Sequence, residues 1–285
     1  VKLINISIMV QRFKIAFVLS AIIIFPLFSH IYSQQNSKLK PIDSIIKNMK
    51  SNLGLINTHL STKNKLFFEI DKKLLEKELL IVTRFAQLPS NYSGYLNAGS
   101  KTSERVVMFE KMENKILLKE VSFTNIAEPN DPISISVNQN NFKPILAAFQ
   151  IENIEKDRYL FDVTDYFMSD SPGFNIIRSY EKENYKIGGI DKKRSFIDSA
   201  KSFLKNTEIL HTLTFNVNKA PRENLTKTFS FQINHSIVNL PDDPMQIRYE
   251  DKRVGWFTIE KINYSSPKLK SDNYKIVRRW RLVPS

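Results

Sequence analysis

Thr228-Phe-Ser-Phe-Gln-Ile-Asn-His-Ser-Ile-Val238 decides the fold. Phe229, Phe231, Ile233 and Ile237 fall on one side of an extended chain. Thr228, Ser230, Gln232, Asn234 and Ser236 fall on the other. Successive side chains of a strand point to opposite faces, so this alternation describes a strand with one face in a core and one in water. His235 lies on the apolar side. Upstream, Leu210–Val217 repeats the pattern with Leu213, Phe215 and Val217 on one face, and His211 precedes them.

Working outward, Val106–Met112 and Ile116–Phe123 flank Glu113-Asn114-Lys115 as a hairpin, and Ile145–Ile154 with Tyr159–Val163 make a second. Val254–Ile262 and Tyr274–Val283 are expected as two final strands. Ser195–Leu204 fits a helix or a strand. Toward the N-terminus, Ile42, Ile45, Ile46 and Met49 follow the spacing of one buried helix face behind Pro41. Leu53–Leu60 and Leu66–Ile70 flank the turn Ser61–Lys65. Asp71 is placed to cap a short helical turn, and Leu79–Phe85 is apolar enough to be central. The polar stretch Pro89–Ser103 is the expected domain boundary. The expected fold class is mainly β (α+β): a small N-terminal αβ domain over residues 51–90, then a larger antiparallel β-sheet domain over 91–285, with a linker and short helix over 34–50.

Residues 1–33 carry an export signal. Arg12 and Lys14 precede the apolar run Ile15–Phe28, and polar Ser33-Gln-Gln-Asn36 follows. Cleavage is expected near Ser33–Gln34, with Met9 as the start that directly precedes the charges. The run is short against the ~20 apolar residues of a membrane span. The expected location is therefore exported: periplasmic, outer-membrane-associated or secreted, with no stable membrane span after cleavage.

The chemistry is sparse. There is no cysteine, which excludes disulfides, Cys-ligated zinc, iron–sulfur clusters and Cys nucleophiles. Gly numbers only 7 of 285, against a usual ~7%, which weighs against phosphate-cradling loops. The net charge is +13, but its longest basic runs are Lys192-Lys193-Arg194 and Arg278-Arg279, so nucleic acid is not an expected partner. Gly94-Tyr-Leu-Asn-Ala-Gly-Ser-Lys-Thr102 misses a phosphate-binding loop by one residue, because Ser100 displaces the lysine. No G-x-S-x-G elbow occurs. Asp162 and Asp165 fit a strand-end cap better than a catalytic pair. His59, His211 and His235 lack the i, i+4 spacing of a zinc helix; a distant two-histidine site stays open beside buried, satisfied histidines. Arg278, Arg279, Trp280 and Arg281 do not form one basic stripe on a strand, since Arg278 shares a face with Trp280.

Several ordered stretches together resemble the N-terminal region of large secreted bacterial zinc-dependent metalloproteases of the metzincin-like type. Leu66-Phe-Phe-Glu-Ile70 and Leu79-Leu-Ile-Val-Thr-Arg84 match its small leading domain. Val106-Val-Met-Phe-Glu110, Ile116-Leu-Leu118, Ile145-Leu-Ala-Ala-Phe149, Phe161-Asp-Val-Thr-Asp165, Asp191-Lys-Lys-Arg-Ser-Phe-Ile197 and Lys201-Ser-Phe203 match its larger second domain. So do Pro244-Met245, Arg248, Asp251, Arg253-Val-Gly-Trp-Phe257 and Arg279-Trp-Arg-Leu282. Trp256 stands where a Tyr is usual, and Leu204 where a Pro is.

The resemblance implies a non-catalytic accessory or pro-like region, truncated before the H-E-x-x-H domain that holds zinc. No catalytic or metal residue is carried over, and no cofactor is expected in this chain. The expected partner is the missing protease domain or a peptide substrate. Arg248, Asp251, Arg253, Trp256 and Trp280 are the candidate interdomain contacts, with Asp251 also a conceivable inhibitory zinc ligand. The alternative is a stand-alone cell-envelope binding module for peptide or glycan.

Overall fold

In a computed structural model, the described residues are 41–90, 92, 96–171, 173–221, 226–267 and 270–279. The expected signal peptide, its cleavage point and residues 34–40 of the linker lie outside them. Helix α1 (Ile42–Ile46) follows Pro41 and leads into β1 (Lys50–Asn52), β2 (Asn57–Leu60), β3 (Leu66–Asp71) and β4 (Glu78–Gln87). Next come β5 (Lys101–Met112), β6 (Lys115–Val121), β7 (Asn125–Ile126), α2 (Ile133–Asn140), β8 (Ile145–Glu155) and β9 (Arg158–Asp162). Then follow α3 (Thr164–Phe167), α4 (Ser179–Tyr185), β10 (Ile187–Ile190), β11 (Phe196–Ser202), β12 (Asn206–Val217), β13 (Thr228–Asn239), β14 (Thr258–Asn263) and β15 (Asp272–Val277). The fold is mostly antiparallel β, built on one large sheet that nearly closes as a barrel.

The strand order of that sheet is β1-β2-β3-β9-β8-β6-β5-β4-β13-β12-β10, with β11 also pairing along β12. β12 and β13 pair without a register break from Asn206↔Val238 to Asn216↔Thr228. Phe215 therefore faces Phe229, Leu213 faces Phe231, and all four side chains are buried in the interior. Ser195–Leu204 resolves as a strand because β12 offers it an unpaired edge; its Ile197 and Ala200 turn inward. Expected strand Leu53–Leu60 is shorter: residues 53–56 turn, with Gly54 pressed on Phe203, and pairing starts at Asn57. Residues 254–257 likewise precede the strand expected from Val254, and β15 ends at Val277.

The two ends of the sheet return to each other at a seam between β1–β2 and β11. Leu55 N–H donates to Phe203 O (2.7 Å), and Asn52 Nδ2 donates to Ala200 O (3.0 Å). The Asn64 side chain both donates to Ile197 O and accepts from Ile197 N–H, each at 2.8 Å. An amide carries one donor and one acceptor in the geometry of a peptide group, so Asn64 stands in for a strand residue where the ladder lapses. One large apolar cluster fills the interior, and a smaller one, Ile42, Phe67 and Leu160, lies under α1. Val163, Phe167, Phe174, Ile176 and Ile177, from α3 and the chain on either side of it, enter the core beside Phe85, Phe109, Phe161 and Phe231.

The expected pair of domains does not divide this sheet. Strand β4, from the small part, hydrogen-bonds on one side to β5 and on the other to β13, both from the large part. Leu79, Ile81, Thr83 and Phe85 of β4 point into the shared core, so residues 41–285 form one compact unit. A separate three-stranded sheet, β15-β14-β7, has β14 antiparallel to β15 and parallel to β7.

Candidate functional site

The chain leaving β13 reaches the three-stranded sheet through residues 241–257, which carry four of the expected contacts, Arg248, Asp251, Arg253 and Trp256. Glu250 N–H donates to Lys275 O and Val277 N–H to Arg248 O, each at 2.9 Å, so residues 248–250 extend the sheet along the edge of β15. The turn that follows is fixed by its own charges. Arg253 donates to both carboxylate oxygens of Asp251, through Nη2 at 2.6 Å and Nε at 3.0 Å, and its backbone N–H adds a third bond at 3.0 Å. The side-chain bonds from Arg253 hold the Asp251 carboxyl below its usual range. Arg248 adds only a longer-range attraction.

Trp256 Nε1–H donates to Arg278 O, Arg278 N–H donates to Phe257 O (2.9 Å), and Arg279 donates to Gln246 O. Hydrogen bonds to backbone carbonyls thus pin the segment, while its rings stay largely exposed: Phe257 is 85% exposed, and Tyr249 and Trp256 are 58% exposed. Arg248, Asp251 and Trp256 line a cavity of about 100 Å³. Arg253 stands outside it, and Trp280 lies outside the described residues.

On the other side of Trp256 lies a cleft of about 530 Å³. Its floor is Leu80 and Val82 on the outer face of β4. Its rim is Arg84, Lys101, Glu104, Arg278 and Arg279, and Phe257 stands beside Trp256 at its mouth. Glu104 is ion-paired with Lys101 and lies 3.8 Å from Arg278. The sequence analysis missed Arg84, Lys101 and Glu104. Strand parity was the available signal, since residues 79, 81, 83 and 85 face inward and so turn 80, 82 and 84 outward.

The histidines lie elsewhere. His211 and His235, both fully buried, stack with Nε2···Nε2 at 2.7 Å, and His235 Nδ1 is 3.0 Å from Thr83 Oγ1. Phe174 and Phe167 cover the pair, at 4.3 and 5.3 Å from the His235 ring. With both rings neutral, one Nε2–H donates to the other nitrogen. Burial among aromatic rings pushes the His211 pKa down to about 3, and burial with the neighbouring His211 pushes His235 well down. Two nitrogens on one tetrahedral zinc stand about 3.3 Å apart, from Zn–N bonds of ~2.0–2.1 Å, wider than this hydrogen-bond contact. Among the described residues no group of three or more His, Cys, Asp or Glu is placed to hold a metal ion.

His59 is buried separately, 2.8 Å from Ser51 Oγ and 3.4 Å from Glu69. Glu69 also accepts from Asn57 (3.0 Å) and Arg158 (3.1 Å). The His59 bond, more than those two, keeps its carboxyl low against the opposing effect of burial. Asp162 caps α3 by accepting from Thr164 N–H at 2.8 Å, and Asp165 makes no pair with it. Of the phosphate-loop look-alike, Gly94 lies outside the described residues, and Lys101 begins a strand rather than a helix. A second feature without a sequence signal is Tyr92, whose hydroxyl donates to buried Glu181 Oε2 at 2.6 Å. Burial, and then that carboxylate, raises the tyrosine's pKa.

Residues 99–285 match the family described as "Domain of unknown function (DUF5117)". The chain belongs to that family. Residues 39–88 match a second family, "Domain of unknown function (DUF5118)". The DUF5117 segment carries β5 to β15 and the whole C-terminal patch. The DUF5118 segment carries α1 to β4, and so supplies the floor of the cleft. No curated protein and no solved structure matches the chain significantly. Among the described residues no helix is long and apolar enough to cross a membrane.

Proposed function

We propose that the chain is a non-catalytic accessory region of an exported zinc-dependent metallopeptidase, and that its DUF5117 segment docks the protease domain through residues 245–257. Zinc and the general base belong to that protease domain. The ordered resemblance from residue 50 onward and the basic–apolar–polar order of residues 12–36 support the reading.

The observation that carries it is the exposed apolar surface: Ile247, Tyr249, Val254, Trp256 and Phe257 are each more than half exposed on a segment anchored by backbone bonds. Contiguous exposed apolar groups mark interaction sites on soluble domains. The Arg253–Asp251 pair sets the shape of this surface rather than supplying a zinc ligand, because both Asp251 oxygens already accept from Arg253.

The test is to bring the catalytic domain of a full-length relative together with this chain and measure association by light scattering and by cleavage of a reporter peptide. Association with the parent chain is expected, along with its loss in the Trp256→Ala, Phe257→Ser double variant and weakening in Arg253→Ala. A catalytic domain that ignores the parent chain, or binds the double variant equally, overturns the docking role. A gain of cleavage confined to Asp251→Ala assigns that residue to inhibition instead.

A further inference from the structure

The cleft beneath Trp256 has the chemistry of a ligand site, and the docking surface does not account for it. Its volume of about 530 Å³ falls in the range of small-ligand pockets, ~300–1,000 Å³. Four cationic side chains converge on it, Arg84, Lys101, Arg278 and Arg279, against one carboxylate, Glu104. Glu104 is already engaged by Lys101 and Arg278. The rim therefore attracts negative charge.

The floor is different in kind. Leu80 and Val82 sit two residues apart on one face of β4, a spacing of about 6.8 Å at ~3.4 Å per residue. They are only half-buried although they lie mid-strand. The side chains of an extended peptide that face the same way repeat at that interval. A sugar would set hydroxyls against an aliphatic floor that offers them no hydrogen bond. An acyl chain would leave the four cationic side chains of the rim without counter-charges along its length. Trp256 and Phe257 supply a wall against which an apolar side chain can pack.

We infer that this cleft binds an extended, acidic segment of another polypeptide, with alternate aliphatic side chains on Leu80, Val82 and Trp256 and its carboxylates on Arg84 and Arg278. The cleft shares Trp256 and Phe257 with the docking surface, but its test requires only this chain and a peptide.

The probe is fluorescein-labelled Asp-Leu-Glu-Val-Asp with blocked ends, titrated with the full chain and followed by anisotropy. Saturable one-site binding is expected that weakens at least tenfold between 50 mM and 500 mM salt, about the loss expected when several charge contacts are screened. Arg84→Ala and Arg278→Ala, both at exposed positions, are each expected to weaken it about tenfold, as the loss of one charge-assisted hydrogen bond does. The isosteric Asn-Leu-Gln-Val-Asn peptide is expected to bind at least tenfold more weakly.

Absence of saturable binding overturns the inference. So does equal affinity for the uncharged peptide, or unchanged affinity in both arginine variants. Preferential binding of laurate or dextran sulfate over the acidic peptide overturns it in favour of a lipid or a polysaccharide. None of these readings involves a catalytic domain, so failure here leaves the docking test standing, and the reverse holds too.

Discussion

The barrel and the three-stranded C-terminal sheet spend aromatic residues in opposite ways. Phe215, Phe229 and Phe231 are at most 1% exposed and touch one another and Tyr92. Tyr249, Trp256 and Phe257 are more than half exposed, on a segment held to the short sheet by hydrogen bonds to main-chain carbonyls. In the barrel, position in the ladder decides what is buried, and burial supplies the stability. In the C-terminal segment, hydrogen bonds to main-chain groups fix the chain while the rings stay exposed. One region makes the fold; the other presents a surface, and the contrast can be tested residue by residue.

The largest effect is expected from Phe231→Ala, which opens a cavity among Phe85, Tyr92, Phe215 and Phe229. A buried Phe→Ala change costs about 3–5 kcal/mol. Urea unfolding should show that loss, whereas Phe257→Ala should stay within ~0.5 kcal/mol of the parent, as exposed positions do. Equal losses would erase the distinction between the two regions.

Acid should attack the barrel through its histidine pair. His211 titrates at about 3 in the folded chain and near ~6.5 when unfolded, and His235 is shifted in the same direction. The unfolded state therefore binds protons that the folded state refuses. Stability is full above pH ~6.5 and is lost as the pH falls from there. At pH 5 the loss from His211 is about 2 kcal/mol, and His235 acts in the same direction. Glu69, held low chiefly by its bond from His59, adds its own loss only below pH ~4.5. Urea unfolding at pH 7.5 and pH 5 measures the gap, and it should narrow in a His211→Gln, His235→Gln variant. A gap of the same size in that variant would assign the acid sensitivity elsewhere.

At the seam, Gly54→Ala should cost about 1–3 kcal/mol, the range for overpacking. A Cβ there would meet Phe203 O at 2.5 Å and Phe203 N at 2.6 Å, and both are backbone atoms that cannot rotate away. Amide exchange should rise at Ile197 and Phe203 while β13 stays protected. Uniform loosening would mean that the barrel has no weak line.

How much of this was legible in the sequence follows from where the determinants lie. The inner face of β13 was legible because one side is dry and one wet, which writes the period of two directly. The β8–β9 hairpin was legible as a polar interval, but its geometry was not: Lys156 and Asp157 both adopt positive φ without a glycine to announce it. Residues 53–56 are apolar enough to continue a strand, and only the approach of Phe203 from a distant hairpin turns them. Gly54 was the trace of that approach. The sharing of one sheet by the two expected domains was not legible, since both partners of β4 lie beyond residue 90 and nothing local to Leu79–Phe85 names them. Arg248, Asp251, Arg253 and Trp256 were marked by the resemblance. The cleft opposite them was not, because its floor lies on β4, more than 170 positions earlier in the chain.

The smallest expected effect tests whether the C-terminal sheet belongs to the barrel's cooperative unit at all. Trp256→Phe keeps a ring at the mouth of the cleft and removes only the indole N–H that donates to Arg278 O. That carbonyl lies on an exposed residue, so water can take the donor's place, and the net loss should fall below about 1 kcal/mol. The urea midpoint should barely move. What should move is local: the amide of Arg278, bonded to Phe257 O, should exchange faster while the amides of β12 and β13 stay as slow as in the parent. If the global midpoint instead shifts as far as it does for Gly54→Ala, the C-terminal sheet carries a share of the fold's stability. Its exposed rings would then be struts of the barrel rather than a face kept ready for a partner.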